Sequence, residues 1–232
     1  MTTEFERNIN DPETSVAIDI SYQDRPLLIA FGGIAGAMGI PPFEFFNLTR
    51  DLDVNKIYIR DLSQTWYHSG LPGISKNIDE TASFLKRTIN ESGMEKVVVI
   101  GNSMGGYAAI LFGVLIQADI IHAFTPHTNI SDEKFIRYKQ QIRNVHSNFS
   151  NTYFDLKKLL KFNNNQADIH LYYDTNDQLD EIHIKRLKYL RNITSHAYNG
   201  GGHALIRILR DAGILQKIIS SSFNSARLNA AK

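Results

Sequence analysis

Val97-Val-Val-Ile-Gly-Asn-Ser103-Met-Gly-Gly-Tyr-Ala-Ala109 is the stretch of this 232-residue chain whose reading decides the fold. Its β-branched opening, residues 97–100, reads as a strand buried on both faces. Gly101-x-Ser103-x-Gly105 reads as a sharp turn, and residues 106–117 as a helix that begins with small side chains. Such a turn forces Ser103 into a strained backbone conformation, so Gly101 and Gly105 must be small to let strand and helix pass closely. The serine hydroxyl then projects above the sheet edge, near the first N–H groups of the new helix. The bare pentapeptide is weakly specific; the strand before it and the helix after it give it meaning.

Outward from this turn the chain alternates strands and helices. Residues 16–21 form a weakly alternating candidate edge strand. Residues 26–31 (Pro-Leu-Leu-Ile-Ala-Phe) are a short apolar run ending in Gly32-Gly33, and residues 56–60 (Lys-Ile-Tyr-Ile-Arg) end at Asp61. Residues 77–92 have helical spacing, with Ile78, Ala82, Leu85 and Ile89 on one face and Gly93 as the stop signal. Further strands are expected at 120–124, 168–173 and 192–197, and helices at 180–191 and 204–222. Residues 1–15 read as a polar lead-in. Residues 128–165, rich in Lys, Asn, Gln and aromatics, break the rhythm and read as two short helices forming a small lid. The pattern predicts one α/β domain over 1–232, with a doubly wound, mostly parallel sheet.

Composition narrows the function classes. Hydrophobic residues at 43% and charged residues at 21% are globular values, and Lys+Arg 25 against Asp+Glu 24 gives a net charge of +1. No basic stripe suggests nucleic acid, and no polybasic segment suggests a membrane anchor. Without cysteine there is no disulfide or thiolate site, so any nucleophile is an oxygen or an amine. The polar, acidic N-terminus lacks a signal-peptide pattern, and no apolar run approaches the ~18 residues of a membrane span. Cytoplasm is the expected compartment. No pair of His or carboxylates has metal-ligand spacing, and neither a metal nor a cofactor is expected.

Acyl transfer by a serine hydroxyl needs a base, an acid to orient it, and donors for the developing oxyanion. Candidates follow Ser103 in the order acid, then histidine, each near a strand end where open parallel sheets bind ligands. His203 stands behind Gly200-Gly201-Gly202, between the last strand and the last helix. A lone His is usually a surface or packed residue; three glycines that can carry it across the sheet make His203 the candidate base. For the acid, Asp177 and Asp180 both qualify, with Asp174 and Glu181 behind them. A Gly-x-x-Asp template would select Asp177, and Asp180 could equally be a helix N-cap. The N–H of Met104 is one candidate oxyanion donor, and that of Gly33 or Ile34 the second. Gly32-Gly33 also has a plain reading as turn chemistry. Trp66, in Arg60-Asp-Leu-Ser-Gln-Thr-Trp-Tyr-His68, and His127 could wall a substrate pocket; equally, the Trp66 segment reads as a loop pinned by one packed indole.

Several segments together resemble the α/β-hydrolase superfamily over nearly the whole chain. They are Pro42-Phe-Glu-Phe45, Arg60-Asp-Leu62, Trp66-Tyr-His-Ser-Gly-Leu-Pro-Gly73, the Ser103 turn, Ala123-Phe-x-Pro126, Leu179-Asp-Glu-Ile-His183 and Gly201-Gly-His203. More narrowly the chain is similar to a poorly characterised group of small bacterial hydrolase-like proteins. The resemblance implies an α/β-hydrolase fold with a small helical lid, and it favours Asp180, in Asp-x-x-His, as the acid. It departs from the group at His127, where Gln is usual, and at Ile184, where Ala is usual. The implied activity is that of a serine hydrolase cleaving an ester or thioester through a Ser103 acyl-enzyme, on a small-molecule or glycan acyl substrate. The alternatives are an acyltransferase or deacylase acting on a sugar or natural-product acyl group, and a non-catalytic binding protein with this fold.

Overall fold

Alternate residues of the same strands feed two separate cores, one on each face of a seven-stranded sheet. In this computed structural model, which describes residues 3–22, 25–34, 43–94, 96–132, 137 and 139–224, the strands are β1 (Val16–Asp19), β2 (Leu27–Phe31), β3 (Asn55–Ile59), β4 (Val97–Asn102), β5 (Ile120–Phe124), β6 (Asp168–Asp174) and β7 (Ile193–Tyr198). Leu27, Ile29 and Phe31 enter one core with Val97 and Val99; Leu28, Ala30, Val98 and Ile100 enter the other. A strand buried on both faces needs apolar residues at every position, and this is why these runs do not alternate with polar ones.

The strand order is β1-β3-β2-β4-β5-β6-β7. β1 is antiparallel to β3, and every other pairing is parallel. The chain leaves β2 towards one edge, through β3, and returns to β4 on the opposite side. The carboxyl ends of β2 and β4 therefore flank a topological switch point, where open α/β sheets form their binding crevice. Gly32-Gly33 follows β2 and Ser103 follows β4, so the fold brings both motifs to that crevice.

The helices are α1 (Glu4–Asn10), α2 (Phe46–Thr49), α3 (Ile78–Ser92), α4 (Met104–Leu115), α5 (Lys139–Asn148), α6 (Leu156–Phe162), α7 (Gln178–Leu187), α8 (Leu205–Asp211) and α9 (Ile214–Asn224). α4 is buried along almost its full length, which explains its lack of a polar face. Three elements depart from the sequence expectation, the short α2 being one of them. The lead-in contains α1, started by a reciprocal Thr3–Glu6 capping box and anchored by buried Ile9. The single helix expected at 204–222 is two, α8 and α9, with Gly213 between them at φ 68°, a left-handed conformation suited to a helix end.

In the 128–165 excursion, α5 and α6 flank a short 3-10 turn at Asn151–Tyr153. The excursion is tied to the body at several points: Thr128 N–H donates to His183 Nδ1, Tyr107 Oη to Tyr153 O, and Arg186 to Asp155. Residues 133–136 and 138 of this segment, and Pro42 of the Pro42–Phe45 motif, lie outside the described residues. No helix among the described residues is long and apolar enough to cross a membrane.

Candidate active site

Ser103 sits between β4 and α4 at φ 56°, ψ −114°, a conformation that L-residues adopt only when the surroundings impose it. The imposition is visible at the two glycines. A Cβ on Gly101 would lie 2.0 Å from Gly105 O, and one on Gly105 would lie 2.3 Å from Phe31 O. Strand β4, helix α4 and the end of β2 thus touch backbone to backbone around the turn. Ser103 N–H donates to Phe124 O at 2.8 Å, which fixes the turn to β5 as well. The N–H of Met104 is among the first four of α4, which have no partner inside the helix.

His203 arrives from the other side. Its loop, Gly200-Gly201-Gly202, has φ values of 116°, 101° and 55°, a left-handed run that side-chain-bearing residues adopt only with strain. Asp174, at the end of β6, holds this loop by accepting the N–H groups of Gly200 and Gly202 as well as Asn176. Burial would raise the Asp174 carboxyl, but the three backbone donors outweigh it and hold the group below the usual carboxylate range. The geometry that results puts His203 Nε2 2.9 Å from Ser103 Oγ. His203 Nδ1 is 2.8 Å and 3.0 Å from the two carboxylate oxygens of Asp180. Donation from Nδ1–H to Asp180 leaves Nε2 as the lone-pair nitrogen of a neutral ring, able to accept the serine proton.

Asp177 and Asp180 divide the roles that the sequence left open. Asp177 is the N-cap of α7, its side chain accepting the N–H groups of Leu179 and Asp180. Asp180, fully buried in the first turn, faces His203. Arg137, from the excursion, reaches both acids: its Nη2 pairs with Asp177 Oδ1 and lies 3.3 Å from Asp180 Oδ1. For Asp177, burial raises the carboxyl pKa, while the Asp180 N–H and Arg137 lower it by more.

The loop after β2 is organised by residues that sequence reasoning did not single out. Tyr67 Oη donates to Gly32 O at 2.8 Å, and Gly33 N–H donates to Glu44 Oε2 at 2.6 Å. The Gly32–Gly33 peptide is therefore held at both ends, and the Gly33 N–H is committed to a carboxyl group. Glu44 Oε1 also accepts from Asn102 Nδ2 at 3.2 Å, so Glu44 joins this loop to the residue before Ser103. Ile34, the other sequence candidate, is part-buried and follows directly. The Pro42–Phe45 motif was a usable signal for Glu44; nothing in the sequence marked Arg137.

Burial raises the Glu44 carboxyl from the ordinary 4.5 to about 7, against the opposing Gly33 and Asn102 donors. A carboxyl raised by folding keeps a proton that the unfolded chain has already released, so its contribution to stability declines as pH rises from about 4.5 to about 7. Glu44→Gln, which cannot ionise, is expected to lose this dependence. In thermal unfolding between pH 5 and 8, the wild-type midpoint should fall relative to the variant's. Parallel curves would mean that Glu44 ionises as an ordinary surface acid.

Trp66 and His127 are both fully buried. Their rings stack, at 6.0 Å and 26°, and His127 also has the His183 ring at 5.3 Å and 44° and the His203 ring at 5.7 Å and 11°. They stand behind the histidine, without an exposed ring face for a ligand. Asp61 pins the Trp66 segment by accepting the N–H groups of Ser63, Thr65 and Tyr67.

A mostly parallel seven-stranded sheet carrying a strained serine at the strand–helix turn of its switch point defines an α/β-hydrolase fold. Solved structures agree. The capsule O-acetyltransferase of Neisseria meningitidis serogroup A superposes with a TM-score of 0.65 at 14% identity, covering 88% of this chain and 90% of that one. MenH from S. aureus gives 0.60 at 13% identity, covering 92% and 99%. Est1E from Butyrivibrio proteoclasticus gives 0.56 at 10%, covering 89% and 93%. At these identities the likeness is one of fold. The particular family comes from sequence: residues 70–220 match the uncharacterised protein family UPF0227, and the chain belongs to it. A search of curated proteins finds no match.

Proposed function

We propose that the protein is a serine hydrolase that cleaves an ester or thioester through a Ser103 acyl-enzyme. One observation carries the reading: the unbroken run Ser103 Oγ–His203 Nε2 and His203 Nδ1–Asp180, assembled from three separate strand ends. In this reading His203 takes the serine proton as Oγ attacks the acyl carbon, then returns it to the leaving group. Asp180 holds the tautomer and stabilises the imidazolium without taking the proton itself. The tetrahedral oxyanion is received by the N–H groups of Met104 and Ile34, since that of Gly33 serves Glu44. Each such donor typically contributes about 10²–10³ in rate. Water then attacks the acyl-enzyme with His203 again as base.

The likeness to a capsule O-acetyltransferase favours one second reading, in which a sugar hydroxyl replaces water as the acyl acceptor. The nucleophile and its partners are the same. A fluorophosphonate probe tests what the two readings share: it should label the protein at Ser103, located by peptide mass analysis. A folded protein that the probe leaves untouched would remove both. Product analysis of an acyl donor with and without added glycan then separates hydrolysis from transfer.

A further inference from the structure

The two hydrogen bonds of His203 fix its nitrogens but not the roll of its ring about the line joining them. One bond runs to Asp180 and the other to Ser103. The backbone that carries the ring is the Gly200–Gly202 loop, whose conformation owes nothing to side-chain packing of its own. What packs beside the ring therefore helps to hold it, and His127 lies there, its ring 11° from parallel with centroids 5.7 Å apart. Behind His127 the indole of Trp66 closes the stack, and Trp66 is itself at φ 53° in the loop pinned by Asp61. A chain of contacts thus runs from Asp61 through Trp66 and His127 to His203. We infer that His127 is a positioning residue for the base, a buried ring that confines the His203 imidazole so that it keeps both of its hydrogen bonds, to Asp180 and to Ser103 Oγ. The inference rests on the proposed acyl-enzyme function and adds to it a determinant outside the triad.

The electrostatics agree with this role. Burial foremost, then His183, His203 and Arg137, hold the His127 imidazole well below its ordinary range, so it is neutral. Its neighbour His183 accepts the Thr128 N–H at Nδ1, 3.0 Å away, and so has a lone pair on that nitrogen. When His203 gains the serine proton, it has a neutral π-face beside it instead of a second cation. The groups around His203 are then Asp180 and Ser103 at its two nitrogens and His127 beside it, with Asp177 close enough to feel its charge and Arg137 paired with both acids.

The test compares His127→Leu with His127→Phe, both measured per active site titrated with the fluorophosphonate. Removing the flat ring should lower kcat about 10–100-fold with KM changed less than about threefold, because a misaligned base slows proton transfer without altering binding. It should also move the acid limb of the kcat/KM profile to higher pH, since a looser wall lets water stabilise the His203 imidazolium. His127→Phe keeps a flat ring and is expected to retain kcat within about threefold and the limb unmoved. A purely structural role predicts fewer titratable sites with an unchanged profile in both variants, and that result overturns the inference. So does a His127→Leu enzyme with wild-type kcat and limb. If His127→Leu does not fold, a Phe variant with a tenfold loss and a shifted limb would overturn it as well. Wild-type protein that never labels at Ser103 would instead sink the acyl-enzyme function itself, a distinguishable failure.

Discussion

Ser103→Ala is expected to lower kcat/KM for short acyl esters by about 10⁴-fold or more while leaving the fold intact. Without Oγ no acyl-enzyme forms, and what remains is binding plus the oxyanion donors. The stability half of the result matters equally, because an unfolded variant would also be inactive. The strain at this position is in the backbone, at φ 56° and ψ −114°, and alanine has the same Cβ and the same strain. It loses one hydrogen bond, to His203, worth about 1 kcal/mol. Ser103→Gly tolerates positive φ freely, so it should be equally inactive yet melt higher than Ser103→Ala, by roughly 1 kcal/mol of relieved strain. Thermal unfolding and ester hydrolysis of the pair check this together. An alanine variant with more than about a tenth of wild-type activity removes Ser103 from the nucleophile's role.

The turn and the architecture were legible for one reason: both are dictated by local sterics and by burial. A helix that must pass within backbone contact of a strand leaves glycines at 101 and 105, and a sheet covered on both faces leaves continuous apolar runs at 27–31 and 97–100. The sequence reading missed α1 although Thr3-x-x-Glu6 is a capping-box pattern, because Phe5 and Ile9 alone make too short an apolar stripe to mark a helix. It merged α8 and α9 because the apolar spacing continues across Gly213. For the candidate site, the histidine was marked by its glycines, while local spacing left the acid open between Asp177 and Asp180 and only the family resemblance favoured Asp180. An Asp that caps a helix and an Asp three residues later that faces inwards have the same local signature. Trp66 and His127 were legible as candidates near the strand ends, but their full burial and the stacking of one on the other are tertiary facts that leave no mark in the sequence. Arg137 acts across about 40 residues of chain, at Asp177, and a contact of that span leaves no local pattern; Glu44, which reaches Asn102 across about 60, was marked only by the Pro42–Phe45 motif and not by its role.

Asp180→Asn is the sharpest way to separate those two acids, and it is expected to lower kcat about 10³–10⁴-fold. The substitution is isosteric, so packing at this fully buried position is preserved. The chemistry is not. An asparagine amide can donate to His203 Nδ1, which puts the ring proton on Nε2, and a protonated Nε2 cannot accept from Ser103. Arg137 keeps Asp177 as its ion-pair partner, so the excursion stays anchored. Asp177→Asn is the matched control. Asparagine caps a helix as well as aspartate does, so α7 should persist, and only the partly exposed pairing with Arg137 is weakened, a small effect by the standard of such pairs. Its kcat should remain within about tenfold of wild type. Both variants are compared by burst titration, so that only competent sites are counted. The opposite order, with Asp177→Asn the more damaged enzyme, would transfer the orienting role to Asp177 and leave Asp180 a buried structural acid.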